Sequence, residues 1–183
     1  MLWVGDVLRF WFEDLKPDDW FSGSAAIDRR IGARFSGLRE TLKQSPPSMS
    51  ALDAAGHVAT IIVFDQFSRN LFRGRAEAFA TDRLARDYAT NAIALGLDAT
   101  MQPPHQHFLY LPFMHAEDPA LQDRSADLFA KLGPDLLKYA IEHRRVIERF
   151  GRFPGRNEAL GRTTTQAEHE YLESLKNMDS QAR

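Results

Sequence analysis

The sequence predicts an all-α protein made of layered antiparallel helix hairpins, with about seven to nine helices in a single domain over residues 1–183. Hydrophobic residues recur at the 3.6-residue period of an amphipathic helix in every long segment, and no segment shows the strict alternation of a half-buried strand. Short breaks rich in Pro, Gly and Ser separate these segments. Such short breaks favour pairing between helices that are neighbours in sequence.

Four helices are predicted in the first half of the chain. The clearest is an amphipathic helix with an apolar stripe at Ile27, Ile31, Phe35, Leu38 and Leu42. An Ala-rich helix comes last, and its small side chains favour close approach of a neighbouring helix. The predicted bounds are Val7 to about Asp14–Pro17, about Ser24 to Lys43, about Ser50 to Phe72 with a stop at Gly74, and about Glu77 to Leu95 with a stop at Gly96.

The second half opens with a break over Asp98–His105, which contains two consecutive prolines. A short apolar helix over Phe108–Met114 is expected to be kinked or ended at Pro112. Three more helices are predicted from their end signals. They are a helix from the N-cap Asp118 to about Leu132, a helix from Pro134 or Asp135 to Phe150, and a last helix capped by Thr164 or Thr165 with Glu168 that reaches about Lys176.

Composition excludes several classes of protein. The net charge is −2 and the pI about 6.3, so no bulk attraction to nucleic acid or to an anionic membrane is expected. There is no Cys, which removes disulfides, thiolate metal sites and Cys nucleophiles. No apolar run approaches the roughly 18 residues of a membrane span, and the N-terminus lacks the basic region of a signal peptide. A soluble, cytoplasmic protein is therefore expected.

The stretch Ile61–Gly74, IIVFDQFSRNLFRG, is the most informative part of the chain. Its polar residues share one arc of a helix that otherwise is apolar, and this arc carries neither Lys nor Glu. Asp65 and Arg69, like Gln66 and Asn70, are spaced i,i+4 and meet on one face. Two interpretations stay open, namely a structural polar network between helices and the floor of an anion-binding pocket.

The candidate site collects polar side chains from segments that otherwise resemble core, on the assumption that they converge in space. Arg side chains and the backbone N–H groups at the Asp118 helix start suit a phosphate or carboxylate, and His115 or His143 suits acid–base catalysis. Neither a metal site of His115, Asp118 and His143 nor any cofactor is predicted, because no HExxH spacing, P-loop or GxGxxG motif is present. The predicted ligand-binding residues are Asp65, Gln66, Arg69, Asn70, Arg73, Glu117, Asp118, Arg149, Arg152, Arg156, Asn157 and Arg162.

Three segments carry a family resemblance: FDQFSRNLFRG at 64–74, FLYLPFMHAEDPALQ at 108–122 and HRRVIERFGRFPGRNEALGR at 143–162. Together they resemble the uncharacterised bacterial family catalogued as domain of unknown function 924. The resemblance implies a fold in the tetratricopeptide-repeat-like (TPR-like) α-helical superfamily, and no established activity, substrate or cofactor. Ala116 stands where the family often has Ser, and Gly155 where it often has His, so chemistry that depends on either group is in doubt here.

Two functional hypotheses follow. The first is a pocket protein, with catalysis left open, that acts on a small anionic metabolite through Arg69, Arg73 and a His. The second is a helical scaffold that binds a peptide or a partner protein. A deep Arg- and His-lined pocket would favour the first, and an open groove with exposed aromatic residues such as Trp20 or Phe153 the second. The first is preferred, because the polar motifs lie inside apolar runs.

Overall fold

The computed structural model describes the backbone of residues 1–181 and the side chains as far as residue 178. Within these residues there are eight helices and no strand, so the all-α prediction is confirmed. Two helices contain a π-helical segment. The helices are α1 (Leu2–Arg9, continued by the π segment Phe10–Asp14), α2 (Ala25–Gln44), α3 (Ala54–Ile61, the π segment Ile62–Phe67, and Ser68–Leu71), α4 (Asp82–Ala94), α5 (Pro103–Met114), α6 (Pro119–Ala130), α7 (Pro134–Phe150) and α8 (Gln166–Gln181).

Helix α3 lies at the centre of the fold. It packs against α1, α2, α4 and α5, and every residue from 56 to 68 is buried. The other helices follow in sequence, with α6 packed on α5 and α7 packed on α6. This order agrees with helices that pair with their sequence neighbours, while the TPR-like stacking of those pairs stays a prediction.

Aromatic side chains build the core between α1, α2, α3 and α5. The Phe35 and Phe67 rings stack with centroids 4.8 Å apart, and Trp11 lies edge-on to Phe67 at 5.6 Å and to Phe108 at 5.4 Å. Each aromatic pair of this kind stabilises by about 0.5–1.5 kcal/mol beyond the area it buries. The core therefore fixes the rotation of α3 about its axis, and with it the direction of the polar side chains that precede Phe67.

The π segment of α3 exposes backbone carbonyls that side chains satisfy. Thr81 Oγ1 donates to the carbonyl of Phe64 at 2.7 Å, and the Arg69 guanidinium donates to the carbonyl of Asp65 at 2.7 Å. Ser68 Oγ lies 3.4 Å from the Val63 carbonyl and 2.9 Å from Thr81 Oγ1. Buried carbonyls need a partner, so these side chains stabilise a wide helical turn that α-helical bonding alone leaves unsatisfied.

Several predicted helix ends are confirmed. Asp118 accepts a hydrogen bond from the Leu121 N–H at 3.0 Å and caps α6, with Pro119 in the first turn. Thr165 and Glu168 form a reciprocal capping box at the start of α8, with distances of 2.8 and 3.3 Å. Gly151 ends α7 with a φ of +68°, a conformation that residues with a Cβ rarely adopt.

Other predicted helix ends are wrong. Helix α5 begins at Pro103, five residues before the predicted start, because a proline in the first turn lacks only an N–H that has no acceptor within the helix. Pro112 does not end α5, which continues to Met114, the last residue predicted for it. Helix α3 begins at Ala54 with Asp53 as its N-cap, and residues 76–79 form a 3₁₀ turn ahead of α4. None of the described helices is long and apolar enough to cross a membrane.

Candidate functional site

A buried network of charges lies where α3, α4 and the turn after α5 meet. Asp65 is 1% exposed, and its Oδ1 lies 3.0 Å from the guanidinium of Arg69. The same guanidinium forms two hydrogen bonds of 3.1 Å to the carboxylate of Asp82. Arg156 approaches that carboxylate at 3.4 Å, and Gln66 Nε2 donates to Asp65 Oδ2. Two guanidiniums therefore face two carboxylates, and the four charges balance.

His115 completes the network. Its Nδ1 lies 2.8 Å from Asp65 Oδ1. Burial alone would raise the pKa of Asp65, but Arg69 and His115 outweigh it and hold that pKa below its usual value. Burial also lowers the pKa of His115, and Arg69 lowers it further, against the opposing effect of Asp65. At neutral pH the pair is thus an Asp65 carboxylate and a neutral imidazole.

The turn that holds His115 is fixed on both sides. Gln122 Nε2 donates to the carbonyls of Met114 at 2.8 Å and Ala116 at 2.7 Å. Arg156 donates to the carbonyl of His115 itself at 2.8 Å. These bonds satisfy carbonyls at the end of α5 that have no N–H partner within the helix. The imidazole is therefore oriented both by its backbone and by Asp65.

His115 borders a cleft of about 550 Å³, which we call the aromatic cleft. Its walls are apolar and aromatic for the most part. With the three His side chains neutral, Asp18 is the charged residue among the described side chains that line it. The loop after α1 contributes Pro17, Asp18, Trp20 and Phe21, helix α5 contributes His107, Leu111 and Met114, and helix α7 contributes Leu136, Tyr139 and His143.

His143 resembles His115 in its bonding. Its Nδ1 lies 2.8 Å from the carbonyl of Tyr139, and its ring centroid is 6.3 Å from that of His115. Burial lowers the pKa of His143, and Arg156 lowers it further. His107 stands on the same cleft, and burial lowers its pKa to about 4. All three imidazoles are therefore neutral at pH 7.

A second cleft of about 340 Å³ shares His143 with the aromatic cleft, and we call it the arginine cleft. Arg156 lines it, with a guanidinium placed 4.7 Å from the ring centroids of both Phe79 and Phe153. Gly155 lines the same cleft, and a Cβ added there would meet no atom within 4 Å. A methyl group at position 155 would therefore fit without a clash.

Part of the predicted site lies elsewhere. Asn70 Nδ2 donates to Asp28 Oδ1 at 2.8 Å, and Arg73 forms two hydrogen bonds of 3.0 Å to the same carboxylate. Arg73 is 52% exposed. These residues join α3 to α2 on the outside of the molecule and line neither of the two clefts described above.

The predicted residues of the tail mainly fasten it to the body. Glu117 binds Arg162 at 2.7 Å and accepts from the Phe153 N–H, while Glu168 binds Arg152 and Asn157. The Arg149 guanidinium lies 4.6 Å from the Phe150 ring centroid, and Asp118 caps α6. Of the predicted site residues, the structure brings together Asp65, Gln66, Arg69, His115, His143 and Arg156.

Sequence reasoning missed Asp82, Gln122 and the aromatic walls. Asp82 lies in the first turn of α4, where an acidic residue is common for reasons of helix polarity alone. Gln122 lies on a helix whose outer face is polar, so a Gln at this position does not by itself indicate a buried role. The stretch Ile61–Gly74 contains two Arg residues and one acidic residue. This excess of positive charge indicates that a carboxylate from another segment lies nearby.

Fold and site together define an all-α protein with a buried Asp–His pair beside an aromatic cleft. The chain belongs to the family described as bacterial protein of unknown function (DUF924), whose model matches residues 7–175. It is similar to a solved structure described as a protein of unknown function, ATU0120, from Agrobacterium tumefaciens. The identity is 42%, the TM-score is 0.88, and the match covers 93% of this chain and 97% of the other. No curated protein matches the chain.

Proposed function

We propose that the protein binds a small organic molecule in the aromatic cleft, with the polar end of that molecule at His115 and His143. The observation that carries this proposal is the 2.8 Å hydrogen bond between Asp65 and His115 at the wall of the cleft. A volume of about 550 Å³ lies within the usual range for small-molecule sites. Apolar walls with a few convergent polar groups are typical of such sites.

The charges favour a ligand with a neutral, apolar body over the small anion that the sequence suggests. Arg69 is fully engaged by Asp65 and Asp82, and Arg73 by Asp28. Neither guanidinium lines the aromatic cleft, where Asp18 carries a negative charge. If the ligand also carries a carboxylate or phosphate, the arginine cleft is the best place for that group, because Arg156 borders this cleft with 14% of its side chain exposed.

A variant that fills the aromatic cleft tests the proposal. Leu136 lines the cleft and is half-buried, so Leu136→Trp places a large ring in the space of the ligand. Leu95→Trp is the matched control, because Leu95 is 59% exposed and lies outside both clefts. Binding of indole, phenol and benzyl alcohol is measured by ligand-observed NMR.

We expect the wild type and Leu95→Trp to bind at least one of these probes with similar affinity. Leu136→Trp should weaken that binding at least tenfold, equivalent to about 1.4 kcal/mol. Equal binding to both variants would place the probe outside the cleft. Absence of binding to the wild type would count against a small-molecule pocket.

Exposed aromatic residues favour a second candidate, a scaffold that binds a peptide or a partner protein. Phe21 is 61% exposed and Tyr139 47%, and both stand on the aromatic cleft. Large exposed aromatic side chains beside a groove are typical anchors for a partner. If this candidate is right, a short peptide with a central Phe will bind at least tenfold more tightly than phenol, and Phe21→Ser will abolish the difference.

A further inference from the structure

We infer that the ligand of the aromatic cleft is an aromatic hydroxyl compound, a phenol in chemical terms, and that His115 accepts its proton. This inference rests on the proposed small-molecule cleft and adds to it the polar group that the ligand must carry. It follows from the hydrogen bonds of two imidazoles, the groups around them and the shape of the walls.

The tautomers of His115 and His143 are fixed by their partners. The Asp65 carboxylate and the Tyr139 carbonyl are acceptors only, so Nδ1 of each ring must carry the hydrogen. In a neutral imidazole the other nitrogen then has a lone pair and no hydrogen. Neither Nε2 forms a hydrogen bond with any described residue, so both are available to a ligand.

The imidazole nitrogens that His115 and His143 offer to a ligand are therefore both acceptors. The Asp18 carboxylate accepts only, and His107, whose pKa burial lowers to about 4, is a neutral imidazole with one N–H donor and one acceptor nitrogen. The Tyr139 hydroxyl is the remaining polar group of the lining, and it can donate as well as accept. A carboxylate is ionised at pH 7, so it brings no hydrogen to the two Nε2 lone pairs. A ligand with an O–H meets a partner.

The walls select the body of the ligand. Trp20, Phe21 and Tyr139 line the cleft with aromatic side chains, and Leu111, Met114 and Leu136 line it with aliphatic ones. Aromatic rings prefer offset-stacked or edge-on neighbours, and a planar ring fits such a cleft with little loss of conformational entropy. A hydroxyl on an aromatic ring combines this body with the required donor.

The phenol and His115 are sufficient for proton transfer. The O–H bond of the phenol breaks, its electron pair stays on oxygen as a phenolate, and the proton forms a bond to His115 Nε2. The resulting imidazolium lies 2.8 Å from the Asp65 carboxylate, which stabilises the new positive charge. The phenolate lies next to that imidazolium, and its negative charge opposes the burial and the Arg69 charge that lower the pKa of His115 in the ligand-free protein. The transfer needs no oxidant, reductant or co-reactant.

The experiment compares 4-nitrophenol with 4-nitroanisole, in which a methyl group replaces the hydroxyl hydrogen. Both are titrated into the wild-type protein at a pH below the pKa of free nitrophenol, and nitrophenolate is followed by its visible absorbance. His115→Asn keeps a side-chain N–H for Asp65 but removes the ring nitrogen Nε2 that faces the cleft. His169→Asn, at an exposed position of α8, is the matched control.

We expect the wild type to bind 4-nitrophenol at least tenfold more tightly than 4-nitroanisole and to shift bound nitrophenol toward its ionised form. His115→Asn should reduce the nitrophenol affinity to that of nitroanisole and leave the absorbance of the bound phenol unionised, while His169→Asn behaves as wild type. The comparison of 4-nitrophenol with 4-nitroanisole on the wild type remains a test of the inference even if His115→Asn fails to fold.

Three outcomes would overturn the inference, and they separate it from the proposed function. Equal affinity for the two probes would leave the cleft as a binding site but remove the donor requirement. Tight nitrophenol binding without ionisation would remove the role of His115 as proton acceptor. Binding of neither probe would count against the phenol and, together with the indole and benzyl alcohol titrations, against the cleft itself.

Discussion

At the scale of residues, the environment of Asp65 and His115 determines their protonation states. Desolvation opposes both charges, yet the pKa of Asp65 falls because Arg69 lies 3.0 Å away and His115 donates to it. A carboxylate whose pKa is lower in the folded state stabilises the fold above its unfolded pKa, near 3.8. That contribution is lost only in stronger acid. Asp65 therefore serves both the stability of the fold and the orientation of His115.

Asp65→Asn should lower the free energy of unfolding by about 3–5 kcal/mol, because it breaks a buried ion pair by removing one partner. Asp28→Asn makes the same chemical change in the more exposed pair with Arg73 and should lower it by about 0–1 kcal/mol. Urea unfolding at pH 7 measures both. Similar losses in the two variants would show that the Asp65 network does not behave as a buried one.

At the scale of elements, both π segments place their carbonyls where side chains of the site region can use them. Trp20 Nε1 donates to the Trp11 carbonyl at 2.8 Å in the π segment of α1, which positions one wall of the aromatic cleft. In the π segment of α3, Thr81 donates to the Phe64 carbonyl and Arg69 donates to the Asp65 carbonyl. Sequence periodicity predicts a helix through both regions but does not distinguish π from α turns, because the apolar pattern differs by one residue over a single turn.

Thr81→Val keeps the shape of the side chain and removes the hydroxyl that donates to Phe64. The buried carbonyl is left without this partner, so we expect a loss of about 1–3 kcal/mol in unfolding free energy. Thr41→Val is the control, since the Thr41 hydroxyl donates to the Gly37 carbonyl on the exposed face of α2. Its effect should stay within about 0.5 kcal/mol. Equal effects would mean that the π segment does not depend on Thr81.

Prediction from the sequence succeeded where interactions are local. The fold class, the Asp118 and Thr165–Glu168 caps and the Asp65–Arg69 pair all depend on residues within four positions of one another. The arrangement of the site could not be predicted from such local patterns. Arg69 and Arg73 share one arc of a helix, but α4 brings Asp82 to the first and α2 brings Asp28 to the second. The convergence of the Asp65 network with the aromatic cleft depends on helix packing that no single segment encodes.

At the scale of the whole molecule, stability should depend on pH through its buried histidines. Burial lowers the pKa values of His107, His115 and His143, so the unfolded chain binds more protons than the folded chain below pH 6.5. A lowered histidine pKa leaves stability unaffected above the unfolded value of 6.5. It reduces stability as the pH falls from there toward the folded value, which is about 4 for His107.

His107→Phe should flatten this dependence. Between pH 6.5 and 4 we expect the wild type to lose stability, with on the order of 2 kcal/mol from His107 after allowance for its partial exposure to solvent. His107→Phe should lose less over the same interval, and His169→Phe should follow the wild type. Thermal unfolding at several pH values measures the difference. Parallel curves for His107→Phe and the wild type would contradict the buried, neutral state of His107.

His115 is a neutral base at the wall of the aromatic cleft, and Asp65 orients it. The most direct measurement is the ¹⁵N NMR titration of its imidazole in uniformly labelled protein, assigned with His115→Asn. We expect hydrogen on Nδ1, an unprotonated Nε2 at pH 7 and a pKa below 6.5, together with a shift of the Nε2 resonance when an aromatic probe binds. Hydrogen on Nε2 at pH 7, or a pKa above 6.5, would contradict it.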